Sequence, residues 1–277
     1  MIKKTGCILF IGFLLLLSAC GNDDEPSSEG ATEPGVRQVV VAVPPTSKPL
    51  SWEENGELQG YEPGVIRLVD EELEDYEFEM VGVADSAAEV GLDTGKYDMI
   101  AQGLFKTAER EDKYLVPEES NGFSLMRIYA NTMGDNVHIN SMEDLVDKDI
   151  YHPTPSGGVF NFLMTWNEEN PNYQIDFTPS DAAFSYADIL KQVEAGRFDV
   201  FIHPSNVGQN EIIENENLDI RETEPVDVTP TYFMFHEEEE NVELVEEVNS
   251  VLKELKESGE LSELSVEYFD EDIFEYE

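Results

Sequence analysis

Ser156-Gly157-Gly158 is the tract of this chain best suited to hold an anion. It follows a short apolar run, Ile150–His152, and precedes a helical pattern that continues to Asn170 and stops at Pro171. The first backbone N–H groups of a helix have no partner within it, and glycine lets a ligand come close to them. Ser156 serves equally as a plain N-cap, and the two roles coexist. Trp52 and Phe105 offer aromatic surface to a cation, or simple packing. The four histidines, His138, His152, His203 and His236, are scattered without zinc-ligand spacing, so neither a metal nor another cofactor is expected. The sequence contains no phosphate-cradling glycine loop, dinucleotide fingerprint or nucleophile elbow.

The elements that must position these residues alternate between short β-rich runs and helical patterns, which predicts an α/β architecture. Val39–Val43 reads as a buried strand ending at Pro44-Pro45. Pro63 is placed to start a helix carrying Val65, Ile66, Leu68, Val69 and Leu73. Phe78–Val83 is a second strand, Asp85 the N-cap of a helix ending at Gly95, and Tyr97–Ala101 a third strand. A second cycle opens with Ser141 and Asp144 as a capping box. Strand Ile150–His152, helix Ser156–Asn170, helix Ala182–Ala195 and strand Val200–His203 complete it. The two cycles echo each other: Gly95-Lys96-Tyr97-Asp98-Met99-Ile100 and Gly196-Arg197-Phe198-Asp199-Val200-Phe201 share the order glycine, base, aromatic, aspartate, apolar, apolar. That repeat suggests two lobes of related construction. Near the end, Leu244, Val245, Val248, Val251, Leu252 and Leu255 fall on one helical face between Asn241, the expected N-cap, and Gly259.

At the other terminus, Lys3 and Lys4 precede an apolar stretch, Ile8–Leu17. This stretch is too short for ~30 Å of hydrocarbon. Leu17-Ser18-Ala19-Cys20 resembles the lipobox of bacterial lipoproteins, which implies a signal peptide over residues 1–20 and acylation of Cys20. Cys7 is the only other cysteine, so a chain starting at Cys20 holds no internal disulfide. Residues 21–37 carry almost no large apolar side chains and read as a flexible tether.

The chain has 61 acidic and 16 basic residues, a formal charge of −45. Loss of Lys3 and Lys4 with the signal peptide would take it to −47. Such a charge excludes nucleic acid and anionic lipid surfaces as partners, leaving the lipid as the sole membrane attachment. It reads as adaptation to salt or alkali, a halophilic acidic surface. Hydrophobic residues at 40% and aromatic ones at 10% still suffice for a core, so disorder is a poor account of it.

In this order the segments resemble the family 3 extracellular solute-binding proteins. Asn55-Gly56-Glu57-Leu58-Gln59-Gly60-Tyr61 resembles the family's glycine-bracketed turn, and Lys106-Thr107-Ala108-Glu109-Arg110 its T-x-E-R segment. Ile139–Leu145 is similar to the stretch that opens the second lobe. Leu255–Leu261 followed by Glu267-Tyr268-Phe269 is similar to the C-terminal signature. The resemblance implies a two-lobed α/β fold of the type II periplasmic-binding-protein kind, with crossover strands near Leu125–Asn131 and Arg221–Val228. Lobe 1 would take residues 38–128 and 225–277, and lobe 2 residues 129–224. It further implies an extracytoplasmic, monomeric, non-enzymatic receptor serving an ABC permease and its ATPase. The solute would be small and carboxylate-bearing, foremost a polar amino acid. An ectoine-like compatible solute is the alternative within the fold, and a dehydratase-like enzyme or a sensor subunit the alternatives outside that role.

By the same resemblance Arg110 grips the ligand's carboxylate, a task that suits a guanidinium fork, although so acidic a chain offers it structural carboxylates too. Ser156 and Gly157 share the carboxylate, and Gly103, Phe105, Thr107, Trp52, Asp85 and Ser205 complete the cleft. Three departures from the family stand out. Ser47 and Asp85 occupy positions that commonly carry aromatic walls, and Phe105 replaces a hydroxyl. Pro204 stands where an acid usually holds the ligand's ammonium; Asp85, Glu62 and Asp181 are the candidates to replace it.

Overall fold

Val39, Val41, Ala42 and Val43 are fully buried, as a strand covered on both faces of a parallel sheet requires. They belong to β1 (Arg37–Val43) of a computed structural model that describes residues 35–277 except Ser156, Ala183 and the side chain of Asn206. The expected signal peptide, Cys20 and nearly all of the tether lie outside the described residues. Arg37, expected as the last tether residue, instead begins β1. Its guanidinium donates to the Glu240 carbonyl, to Asn241 at 2.5 Å and to Asp98 at 3.2 Å.

After β1 come a small hairpin sheet, β2 (Thr46–Ser47), β3 (Ser51–Glu54) and β4 (Glu57–Gln59), then α1 (Tyr61–Glu72), β5 (Tyr76–Gly82), α2 (Asp85–Asp93) and β6 (Met99–Phe105). Next are α3 (Ala108–Glu111), β7 (Tyr114–Leu115) and β8 (Gly122–Asn131), then α4 (Gly158–Glu169), α5 (Tyr186–Glu194), β9 (Val200–Pro204) and α6 (Gln209–Glu216). The chain ends with β10 (Ile220–Glu222), β11 (Asp227–His236), α7 (Glu239–Ser258) and α8 (Glu260–Phe269). One 8-stranded sheet runs β10-β8-β11-β6-β1-β5, with β7 on β11 and β9 on β8. β1 is parallel to β5 and β6, and β11 joins them antiparallel.

The apolar cores divide along β8. Phe123 and Leu125 pack with β1, α1 and α7 residues such as Val41, Ile66 and Leu252. Met126 and Ile128, on the opposite face of the strand, pack instead with Ile150, Leu163 and Ile202. β11 makes the same change near its start: Val226, just before it, packs with the second group, and Val228 with the first. Where β8 changes sides, Arg127 is buried and donates to the Thr223 carbonyl at 2.8 Å and to Glu271 at 2.5 Å. No helix among the described residues is long and apolar enough to cross a membrane.

Several local expectations need correction. Helix α1 starts at Tyr61, two residues before Pro63, because the carbonyls of Pro49 and Leu50 take the Tyr61 and Glu62 N–H groups. Its N-cap is Gly60, at φ 118°; a Cβ there would lie 2.6 Å from the Leu50 oxygen. Asp85 is the first residue of α2, after Ala84, and makes no capping bond. Asn241 is not the cap of α7 but sits buried in its first turn, donating to the His236 carbonyl at 2.9 Å. Ile150–His152 forms a single bridge, Ile150 to Val200, rather than a strand. The Ser141–Asp144 capping box is present, with Ser141 N donating to Asp144 at 3.1 Å.

Candidate ligand-binding site

Each α-helix among the described residues carries an acid in its first turn, with the exception of α4. In a chain with 61 acids that gap leaves the positive end of α4 without a built-in counter-charge. Gly157 is the N-cap, and a glycine brings no side chain to cap the helix. α5 contrasts with it. Ser185 caps α5 by accepting from Asp188 N at 3.1 Å, and its hydroxyl donates to Asp188 at 2.7 Å. The end of α4 is therefore the one suited to an external anion.

A cavity of about 610 Å³ opens beside it. Thr154, Gly157 and Gly158 form one wall, the start of α5 another, and β9 supplies Phe201 and His203. This is the carboxyl end of β9, where ligands of open α/β sheets commonly bind. The volume falls within the usual range for small-molecule sites. His203 stacks on Phe201 at 5.2 Å and lies 4.8 Å from Tyr186, while Tyr151 stands edge-on to Phe201 at 5.7 Å. His203 Nδ1 lies 2.9 Å from Gln209 Nε2 and 3.2 Å from the Pro204 carbonyl, and Nε2 lies 3.2 Å from the Tyr186 hydroxyl. Burial pushes the His203 imidazole down to about 4, against a weaker opposing bond to the Pro204 carbonyl, so it is neutral at pH 7.

Of the residues expected to bind ligand, Gly157 alone lines this cavity; Ser156 lies outside the described residues. Arg110 is on α3, at the far end of β6. It donates to the Phe105 carbonyl at 3.0 Å and pairs with Glu89 at 3.4 Å. Thr107 is the N-cap of α3, accepting from Arg110 N at 3.3 Å. Gly103 has φ 62° and donates its N–H to Glu62 at 3.1 Å. Asp85 is exposed, and Ser205 begins a half-buried 3-10 turn. Trp52 is committed to packing: its ring meets Tyr268 edge-on at 6.1 Å and carries Lys48 Nζ 5.5 Å from its centroid.

Glu62 is excluded as an ammonium partner, because it is fully buried. Asn121 donates to Oε1 at 3.0 Å beside Gly103, and Oε2 has no partner. Burial pushes this carboxyl up to about 7 despite those two bonds. The histidines are less scattered than their spacing suggests, since His152 and His203 line one cavity. Among the described residues no metal-binding cluster occurs. The signal for Phe184, Tyr186 and Phe201 in the sequence is only that aromatic residues flank the ends of α5 and β9.

The family profile of bacterial extracellular solute-binding proteins, family 3, matches residues 39–271. The chain belongs to this family. Solute-binding proteins similar to it include the L-cystine-binding protein TcyK of Bacillus subtilis, 27% identical over 87% of this chain and 86% of its own length. A second is TcyJ of the same organism, 28% identical over 85% and 84%. The probable amino-acid ABC transporter extracellular-binding protein YtmK of B. subtilis superposes with a TM-score of 0.70, at 24% identity over 84% of this chain and 97% of its own. The fold of this solute-binding protein is thus the two-lobed, type II periplasmic-binding α/β fold. Pro204 closes β9, and no carboxylate is among the described residues that line the cavity beside it.

Proposed function

We propose that this solute-binding protein is the non-enzymatic receptor of an ABC importer and carries a small carboxylate-bearing solute, foremost a polar amino acid, by its carboxylate. The N-terminus of α4, with no acid in its first turn and Gly157 and Gly158 on the cavity wall, supports that reading most directly. Arg110 is the second grip on the carboxylate, presented from lobe 1 (residues 38–128 and 225–277) across the cleft to lobe 2 (residues 129–224). Closing the lobes by a hinge at β8 and β11 would bring the two grips together and create the form a permease and its ATPase accept. Ser156, Thr107, Gly103 and Phe105 support the head group in this reading. The names of the cystine-binding and amino-acid-binding relatives agree with it.

A thermal-shift screen of amino acids at high salt tests the reading. Ligand at about 100 times Kd adds roughly 2.7 kcal/mol, a clear rise in Tm. No shift with any amino acid would overturn it. Pro204, in place of the usual acid, favours a second reading, a compatible solute such as ectoine, which belongs in the same screen.

The protein is further proposed to be extracytoplasmic, monomeric and held at the membrane by lipid on Cys20 alone. Cys20→Ala should release soluble protein or stall processing; an acylated, membrane-bound variant would refute the anchor.

A further inference from the structure

The cavity at α4 has no Asp, Glu, Lys or Arg among its described lining residues, in a chain that is 28% charged. A wall sampled without constraint at that composition would carry several. Its aromatic lining residues are Tyr151, His152, Phe184, Tyr186, Phe201 and His203. Phe184 is 53% exposed, an aromatic ring turned to water on an acidic surface and at the rim of a cavity. His203 adds no charge at neutral pH, because its surroundings hold it unprotonated.

We infer that this cavity is the side-chain subsite, and that it selects an amino acid with a bulky, uncharged side chain, aromatic or thioether. The inference rests on the amino-acid reading above and assigns it a bulky, uncharged side chain in place of a small polar one. A side chain bearing a net charge would leave its water for a wall with no counter-ion, and burying an uncompensated charge is heavily unfavourable. A second zwitterionic head, as L-cystine carries, meets the same obstacle, so this receptor's preference parts from that of the relatives named for cystine. An aromatic ring instead gains edge and face contacts from Tyr151, Tyr186 and Phe201. The Tyr186 hydroxyl, 3.2 Å from His203 Nε2, supplies a polar group on the cavity wall for a phenol or indole edge.

Calorimetric titration of the full chain with L-tyrosine, L-tryptophan, L-methionine, L-alanine, L-lysine, L-arginine, L-glutamate, L-cystine and ectoine tests this. The first three are expected to bind at least tenfold more tightly than the rest. Phe184→Ala, at an exposed position that should leave folding intact, is expected to weaken the first three about tenfold and L-alanine little. Tightest binding by a charged amino acid, by L-cystine or by ectoine would overturn the inference, as would an indifferent Phe184→Ala. If L-lysine or L-cystine leads, the amino-acid reading survives; if no amino acid binds, both fall.

Discussion

Asp98 and Asp199 occupy equivalent places in the two halves of the molecule and make the same pair of bonds. The Asp98 N–H donates to the Val40 carbonyl at 3.0 Å, and its carboxylate accepts from the Val40 N–H at 2.8 Å. The Asp199 N–H donates to the Asp149 carbonyl at 2.8 Å, and its carboxylate accepts from the Asp149 N–H at 2.9 Å. In both cases the preceding glycine closes a helix at nearly the same positive φ, 68° at Gly95 and 69° at Gly196. Each aspartate thus registers a strand against its neighbour just before parallel pairing begins. Asp98→Ala and Asp199→Ala should each lower stability by about 1–3 kcal/mol, since each leaves a backbone N–H without its partner. Urea unfolding of the two variants checks this, and an effect at one site only would break the equivalence.

Arg110→Ala is expected to weaken ligand binding by about 30-fold or more while changing the ligand-free Tm little. Its guanidinium is partly exposed, and its bonds to Phe105 and Glu89 are replaceable by water. A carboxylate held by a guanidinium fork loses about 2–5 kcal/mol when the arginine is truncated. Arg110→Lys should bind poorly as well, for lack of the fork. Titration and melting curves together separate this role from a structural ion pair, in which Tm would fall and affinity hold.

Two buried groups give opposite pH dependences that mask each other. Glu62 is raised from 4.5 to about 7, so the folded state keeps its proton longer than the unfolded one. The stability it confers below pH 4.5 is lost as pH rises through 7. His203 is lowered from 6.5 to about 4, so its stability is present above pH 6.5 and lost as pH falls through 4. Between about pH 4.5 and 6.5 the two slopes oppose each other. Relative to the parent, Glu62→Gln should gain stability as pH rises, reaching roughly 3 kcal/mol by pH 8. Relative to the parent, His203→Gln should lose it over pH 4–6.5. Unfolding free energies of the three proteins across pH 4–8 provide the check.

Stability should rise with salt. With 61 acids against 16 bases, self-repulsion opposes folding, and ions screen it over ~8–10 Å near physiological strength. Melting curves from low to molar sodium chloride and potassium chloride should shift upward in both salts.

Local chemistry was written plainly in the chain. The β1 valines, the apolar stripe of α7, the Ser141–Asp144 box and the paired glycine–aspartate turns all follow from contacts within a few residues or from simple periodicity. The family could be recognised because its short motifs keep their order. What the sequence left open are meetings across long separations. Glu62 lies in a first helical turn like many exposed acids, yet the Asn121 side chain and the Gly103 amide enclose it. Asn241 resembles a helix cap until Arg37 and the His236 carbonyl claim its side chain from outside the helix. His203, Phe201 and Tyr186 form one wall only because β9 and the start of α5 converge there. Strand register and helix docking decide such neighbours, since they turn a side chain toward one face or the other over distances that no local pattern encodes.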